Sequence, residues 1–141
     1  TIGAEDLATD LGMIPDPETL QYPKQQSVFA ARAAGVVPLG LFGTVADYQD
    51  LSSIRVNAEK SRKFGFEGAS CIHPNVIPIL NEAFGVSTKE AELAQQIIDA
   101  NQLAIMEGRA SFELHGRMVD VPVVDRARAL LERYRTISNR N

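Results

Sequence analysis

At intervals of about 30 residues the sequence alternates between short uninterrupted apolar or β-branched runs and longer stretches with helical spacing. Three such runs come first: Thr1-Ile2 leading into Gly3, then residues 36–42, then residues 66–72. Runs without alternation read as strands buried on both faces, as in a parallel sheet. A short helix fits residues 5–11, ended by Gly12, and longer ones fit residues 19–34, ended by Gly35, and from Asp47 or Asp50 to Gly65. Asn75 is placed to cap a further helix over residues 76–84. Strand, helix, strand, helix, strand, helix is the order of an α/β protein with a parallel sheet, either doubly wound or a (β/α)8 barrel. Three strands alone leave two long unpaired edges. The chain also opens inside its first strand with no initiator Met, so the upstream half of the fold is expected elsewhere.

The last third changes character. Ser87-Thr88-Lys89-Glu90 is a capping box, and the helix behind it should reach Met106 and stop at Gly108. Residues 111–119 read as a small hairpin turning at His115-Gly116. Asp120-Val121-Pro122 starts a last helix over residues 123–134, and the charged tail from Arg135 is expected to fray.

Composition narrows the function classes. A net charge of −4 with scattered Lys and Arg offers no basic patch for nucleic acid and no polybasic membrane anchor. No apolar run approaches the length of a bilayer span. One cysteine, Cys71, precludes an internal disulfide and fits a reducing compartment such as the cytoplasm. Two distant histidines and that cysteine lack zinc-site spacing, and there is no nucleophile elbow or P-loop.

The chemistry-bearing candidates sit where strands are expected to end. Asp6 follows the first run and Gly3 directly, the place where α/β proteins keep their working residues. It reads either as a Mg²⁺ ligand, since that ion is held by one or two carboxylates plus water and substrate oxygens, or as an ordinary helix-start acid. His73, at the end of the third run beside Pro74, reads as a site residue or as a turn histidine bonded to a neighbouring loop. Asp120 reads as the N-cap of the last helix or as an acid on a C-terminal appendage folding over a site.

Several of these stretches, in this order, resemble one family. They are Gly3-Ala4-Glu5-Asp6-Leu7 with Asp10-Leu11-Gly12, Ala30-Ala31-Arg32-Ala33-Ala34-Gly35, Gly65-Phe66-Glu67-Gly68, Cys71-Ile72-His73-Pro74, Asn81-Glu82-Ala83-Phe84 and Gly116-Arg117-Met118-Val119-Asp120-Val121-Pro122. Across its whole length the chain resembles the C-terminal half of the citrate lyase β-subunit-like proteins of the HpcH/HpaI aldolase superfamily, whose relatives include malyl-CoA and citramalyl-CoA lyases. The resemblance implies strands six to eight of a TIM (β/α)8 barrel over residues 1–86 and a helix-hairpin-helix lid over residues 87–141. It implies a Mg²⁺-dependent carbon–carbon lyase acting on a 2-oxo acid and an acyl-CoA ester. Asp6 would be one metal ligand, its partner Glu lying upstream of this chain. The N–H groups around Gly3, Ala4 and Glu5 would face the carboxylate of the 2-oxo acid. Asp120 would be a catalytic acid/base delivered by a neighbouring subunit's lid, in a homotrimer or hexamer. Ile72, His73 and Pro74 would lie near the CoA or substrate entrance. The rivals are a CoA-independent pyruvate-type aldolase and a non-catalytic half-barrel used only in assembly.

Three departures from the family pattern stand out. An Asp late in the seventh strand is replaced here by Gly40 or its neighbour Leu39, and a Lys by Ala69. Their joint loss suggests that the two charges pair in relatives, since one alone would be a stranded buried charge. Tyr22-Pro23-Lys24-Gln25-Gln26 stands where Tyr-Ala-Arg is common.

Overall fold

The computed structural model describes residues 1–139 and divides into two compact units, residues 1–84 and the chain from residue 85 onward. The first carries helices α1 (Ala4–Leu11), α2 (Gln21–Ala33), α3 (Leu51–Lys63) and α4 (Ile77–Phe84), with a 3-10 turn at Pro74–Val76. The second carries α5 (Thr88–Met106), the hairpin β1 (Phe112–Leu114) and β2 (Arg117–Val119), and α6 (Val121–Ser138).

Local signals account for several helix ends. Gly12 closes α1 in the left-handed conformation. Asp50 opens α3, its carboxylate accepting the Ser53 N–H at 3.0 Å. The Ser87 box is complete: Ser87 Oγ accepts the Glu90 N–H at 3.3 Å, and Glu90 Oε2 accepts the Ser87 N–H at 2.8 Å. Asn75, by contrast, caps nothing. His73 precedes the 3-10 turn, and its Nδ1 accepts the Asn75 N–H at 3.2 Å, so an imidazole does the work expected of the amide.

The expected strands are the largest departure. Thr1–Gly3 belongs to no ladder, and residues 36–42 and 66–72 meet in one parallel bridge, Leu39 with Gly68. Two hydrogen bonds hold it: Gly40 N–H to Gly68 O at 2.9 Å and Glu67 N–H to Pro38 O at 3.0 Å. Pro38 has no N–H to give, and Gly40 and Gly68 add no side chains to a pleated surface, so the ladder does not extend. Nor is the second run buried throughout, because Val36 and Val37 are 57% and 60% exposed.

Phe42 is the centre of the first core, fully buried between Phe64 and Phe66 with both rings edge-on at 4.9 and 5.8 Å. That geometry places ring edges against the negative face of the neighbour. Val28, Ile54, Ala58, Leu80 and Phe84 bring α2, α3 and α4 onto it. Ser61 fixes the Phe42 backbone from α3. Its Oγ accepts the Phe42 N–H at 2.8 Å and donates to Asn57 O at 2.6 Å, with no exposed surface. Ser61→Ala strands that N–H, at an expected cost of about 1–3 kcal/mol. Urea unfolding should show a lower midpoint at unchanged slope, and a wild-type midpoint would refute the assignment.

In the second unit Ala91 and Ala94 of α5 cluster with Ala127 and Leu131 of α6, while Ala104 clusters with Phe112, Val119 and Val124. The early part of one helix meets the late part of the other, so the two run antiparallel. The hairpin turns through His115 and Gly116 at φ 51° and 74°, the signature of a type I′ turn, in which both central residues are left-handed. The tail does not fray at Arg135: α6 continues to Ser138, its stripe prolonged by Leu131 and Tyr134, and the Tyr134 hydroxyl lies 3.5 Å from Thr88 Oγ1. Arg140 and Asn141 lie outside the described residues. Among the described residues no helix is long and apolar enough to cross a membrane.

Candidate functional site

The first helix begins without a side-chain cap. Gly3 is its N-cap, in an extended conformation (φ −69°, ψ 125°), and Glu5 and Asp6 occupy the first turn. The first N–H groups of a helix have no intrahelical acceptor and carry the positive end of its dipole, which favours carboxylates there. Asp6 folds back over Gly3: a Cβ built on Gly3 would lie 2.8 Å from Asp6 Oδ2. The bland reading of Asp6 as a helix-start acid is therefore physically sound, and the residue is exposed enough to bind something as well.

What distinguishes this turn is the cavity it borders, of about 240 Å³. Thr1 to Asp6 form one wall, Gly40 to Val45 apart from Phe42 another, and Ala69, Ser70 and Lys24 complete it. Gly3, Ala4, Glu5 and Asp6, consecutive in the chain, all border this cavity. Ile72, His73 and Pro74 are not among the lining residues. His73 is half-buried, stacked on Tyr48 with ring centroids 4.8 Å apart and an interplanar angle of 12°. Because its Nδ1 accepts the Asn75 N–H, the neutral ring carries its proton on Nε2.

Positions 40 and 69 line the same cavity, one residue beyond the Leu39–Gly68 bridge on each segment. This is the adjacency that a paired Asp and Lys would need. Position 40 has no room for the Asp here, since a Cβ on Gly40 would stand 2.6 Å from the Phe66 ring.

Lys24 is the residue that sequence reasoning passed over. It is 3% exposed, and its Nζ donates to Gly43 O at 3.0 Å and to Leu41 O. The signal was present: Leu20, Lys24 and Val28 are spaced by four and all are buried, so a lysine stands on the inward stripe of α2. Burial pushes its ammonium down from 10.5 to about 8. Native Lys24 therefore loses its proton near pH 8, whereas the unfolded chain keeps it to about 10.5. Below pH 8 the native state carries the full penalty, about 3 kcal/mol, and stability recovers as pH rises from 8 to 10.5. Measured against Lys24→Met, the unaltered chain should gain up to that amount across the window. A difference that stays constant from pH 7 to 10.5 would contradict this account.

Asp120 belongs to the second unit. It is half-buried, with extended backbone (φ −129°, ψ −177°) at the N-cap of α6. Its carbonyl accepts the N–H groups of Val123 and Val124, but its carboxylate makes no capping hydrogen bond. The cap position is as expected; the side chain is not used for it. Among the described residues no group of three or more His, Cys, Asp or Glu side chains converges to hold a metal ion. Asp6 fits Mg²⁺ as one carboxylate of a ligand set, which is compatible with an ion that takes most of its oxygens from water and substrate.

The profile of the HpcH/HpaI aldolase/citrate lyase family matches residues 1–74. The chain belongs to that family. Relatives within it include the citrate lyase subunit beta-like protein of Deinococcus radiodurans, 37% identical over 92% of this chain and 45% of that protein. Another is the citrate lyase subunit beta of Escherichia coli strain K12, 34% identical over 94% of this chain and 44% of that protein. The chain spans about half the length of the curated relatives it matches. Among solved structures, the CitE protein of Mycobacterium tuberculosis in complex with magnesium, acetoacetate and coenzyme A superposes with a TM-score of 0.76, at 27% identity over 94% of this chain and 50% of that one. That likeness agrees with the mixed α/β architecture of the first unit.

Proposed function

We propose that this chain supplies part of the active site of a Mg²⁺-dependent carbon–carbon lyase acting on a 2-oxo acid and an acyl-CoA ester. The observation that carries the reading is the cavity in which the Asp6 carboxylate meets the uncapped start of α1. Relatives that are lyases, and a structural neighbour solved with magnesium, acetoacetate and coenzyme A, support it. On this reading residues 1–86 are strands six to eight of a (β/α)8 barrel with their helices, and residues 87–141 form a lid.

The residues divide the work by chemistry. Asp6 holds the metal together with a Glu from upstream. When bound, the metal polarises the carbonyl of the 2-oxo acid as a Lewis acid. The N–H groups of Gly3, Ala4 and Glu5 receive the substrate carboxylate, as oriented donors at a helix start do. Asp120, its carboxylate free of capping duty, moves the proton at the acyl α-carbon, from a neighbouring subunit of a homotrimer or hexamer. Ile72, His73 and Pro74 border the entrance, where the Nε2–H of His73 offers a donor to the CoA chain. The setting is cytoplasmic. The test is cleavage of citramalyl-CoA and malyl-CoA by the native protein with Mg²⁺ and after chelation by EDTA. Turnover of neither thioester, with or without the metal, would overturn the reading.

A further inference from the structure

We propose that Lys24 is the anion-binding side chain of this cavity, its ammonium group receiving a carboxylate of the bound 2-oxo acid. The proposal rests on the functional reading above and assigns a residue that reading does not use. An isolated cation inside a protein is costly, and chains that bury one nearly always give it a counter-charge. Lys24 is buried and has only the carbonyl oxygens of Leu41 and Gly43, with no carboxylate within ion-pair reach among the described residues. Those carbonyls satisfy two of its three N–H donors, leaving one donor and the whole charge.

The surroundings define the ligand. Among the described residues Lys24 is the one cationic side chain lining the cavity, position 69 being Ala. The start of α1 lines the same cavity, where N–H groups without acceptors add a second source of positive potential. The acids of the cavity, Glu5 and Asp6, sit on that same exposed turn. A cavity lined by both a fixed cation and carboxylates suited to a metal suits a small ligand that is both an anion and a chelator. A 2-oxo acid is such a ligand, with a carboxylate whose charge Lys24 meets alongside the α1 N–H groups and an oxo oxygen for the metal. Lys24 also clamps the wall it stands against, so the Leu41–Gly43 segment is held in place before substrate arrives.

The test compares pyruvate with pyruvamide, which keeps the oxo group and lacks the negative charge, on the native protein with Mg²⁺ by calorimetry. Lys24→Met should bind pyruvate tenfold to a hundredfold more weakly, the range expected for a lost hydrogen bond to a charged group, and pyruvamide unchanged. Lys24→Arg should retain most of the affinity, and Mn²⁺ binding followed by electron paramagnetic resonance should be the same in all three proteins. Unchanged pyruvate affinity in Lys24→Met overturns the proposal. Equal loss of pyruvate and pyruvamide also overturns it and leaves Lys24 a wall clamp only. Should the Met variant not fold, the Nζ resonance of ¹⁵N-lysine-labelled native protein decides: it should shift with pyruvate and not with pyruvamide, and an unmoved signal refutes the assignment. Failure of the unaltered protein to bind pyruvate at all would remove the 2-oxo acid reading and Lys24 with it, whereas binding that survives in Lys24→Met removes Lys24 alone.

Discussion

Asp6→Asn is expected to lower metal-dependent carbon–carbon cleavage by about a thousandfold or more while leaving the fold intact. Lewis-acid polarisation contributes several kcal/mol at the transition state, and each 1.36 kcal/mol is a factor of ten in rate. Asn keeps the shape of Asp and can still accept a hydrogen bond, but it lacks the negative charge that makes a carboxylate the stronger Mg²⁺ ligand. The structural cost is small because Asp6 is exposed in the first turn of α1, where a carboxylate contributes about 0.3–1 kcal/mol through the helix dipole. Mn²⁺ titration followed by electron paramagnetic resonance should weaken with the activity, while the thermal melt barely moves. Retained turnover in Asp6→Asn would sink the metal assignment.

Asp120→Asn is expected to slow turnover by about a hundredfold to ten-thousandfold, the usual range for a lost general acid or base. Here the two meanings of one residue separate cleanly. Asn is as good an N-cap as Asp, and the Asp120 carboxylate makes no capping bond to lose. Stability should therefore stay within a few tenths of a kcal/mol, and a rate loss without a stability loss identifies chemistry. The same variant tests the assembly. If Asp120 acts on a neighbouring subunit's site, mixing inactive Asp6→Asn and Asp120→Asn proteins after dissociation should restore part of the activity. Wild-type rates in Asp120→Asn would return it to a plain helix-start residue.

Which parts of this chain could be read from sequence follows from the reach of the forces involved. Helix ends were legible because they are set within four residues: Gly12, Gly108, Asp50 and the Ser87–Glu90 box need no distant partner. The I′ hairpin was legible for the same reason. Strands are different, since a strand exists only through pairing. The runs at residues 36–42 and 66–72 carry the right composition but share one bridge. His73 was read as a site residue or as a turn histidine bonded to a neighbouring loop; its use in place of Asn75, with the ring stacked on Tyr48 from a distant segment, was not legible.

The candidate site divides along the same line. Asp6 was singled out because it follows a predicted strand end, and the Gly3–Glu5 backbone because of the family resemblance. Lys24 was missed because a lysine in a helix is ordinarily solvated, and only the burial of Leu20 and Val28 on either side gives its direction away. Asp120 was placed at a helix start by sequence, but whether its carboxylate was engaged there was a question of side-chain geometry.

The way the second unit is stitched has a consequence for how it acquires order. Phe112 and Val119 face each other across a two-residue turn, so joining them closes a very short loop. The cluster from Ala104 to Val124 spans roughly 20 residues of chain, and that from Ala91 to Leu131 roughly 40. Loop-closure entropy rises by only about 0.6 kcal/mol for each doubling of length, and every contact already made shortens the loop that the next must close. Order can therefore spread from the hairpin outward like a zipper, with the far ends of α5 and α6 joining last. The corner that holds Asp120 is the part of this unit that chain entropy opposes least.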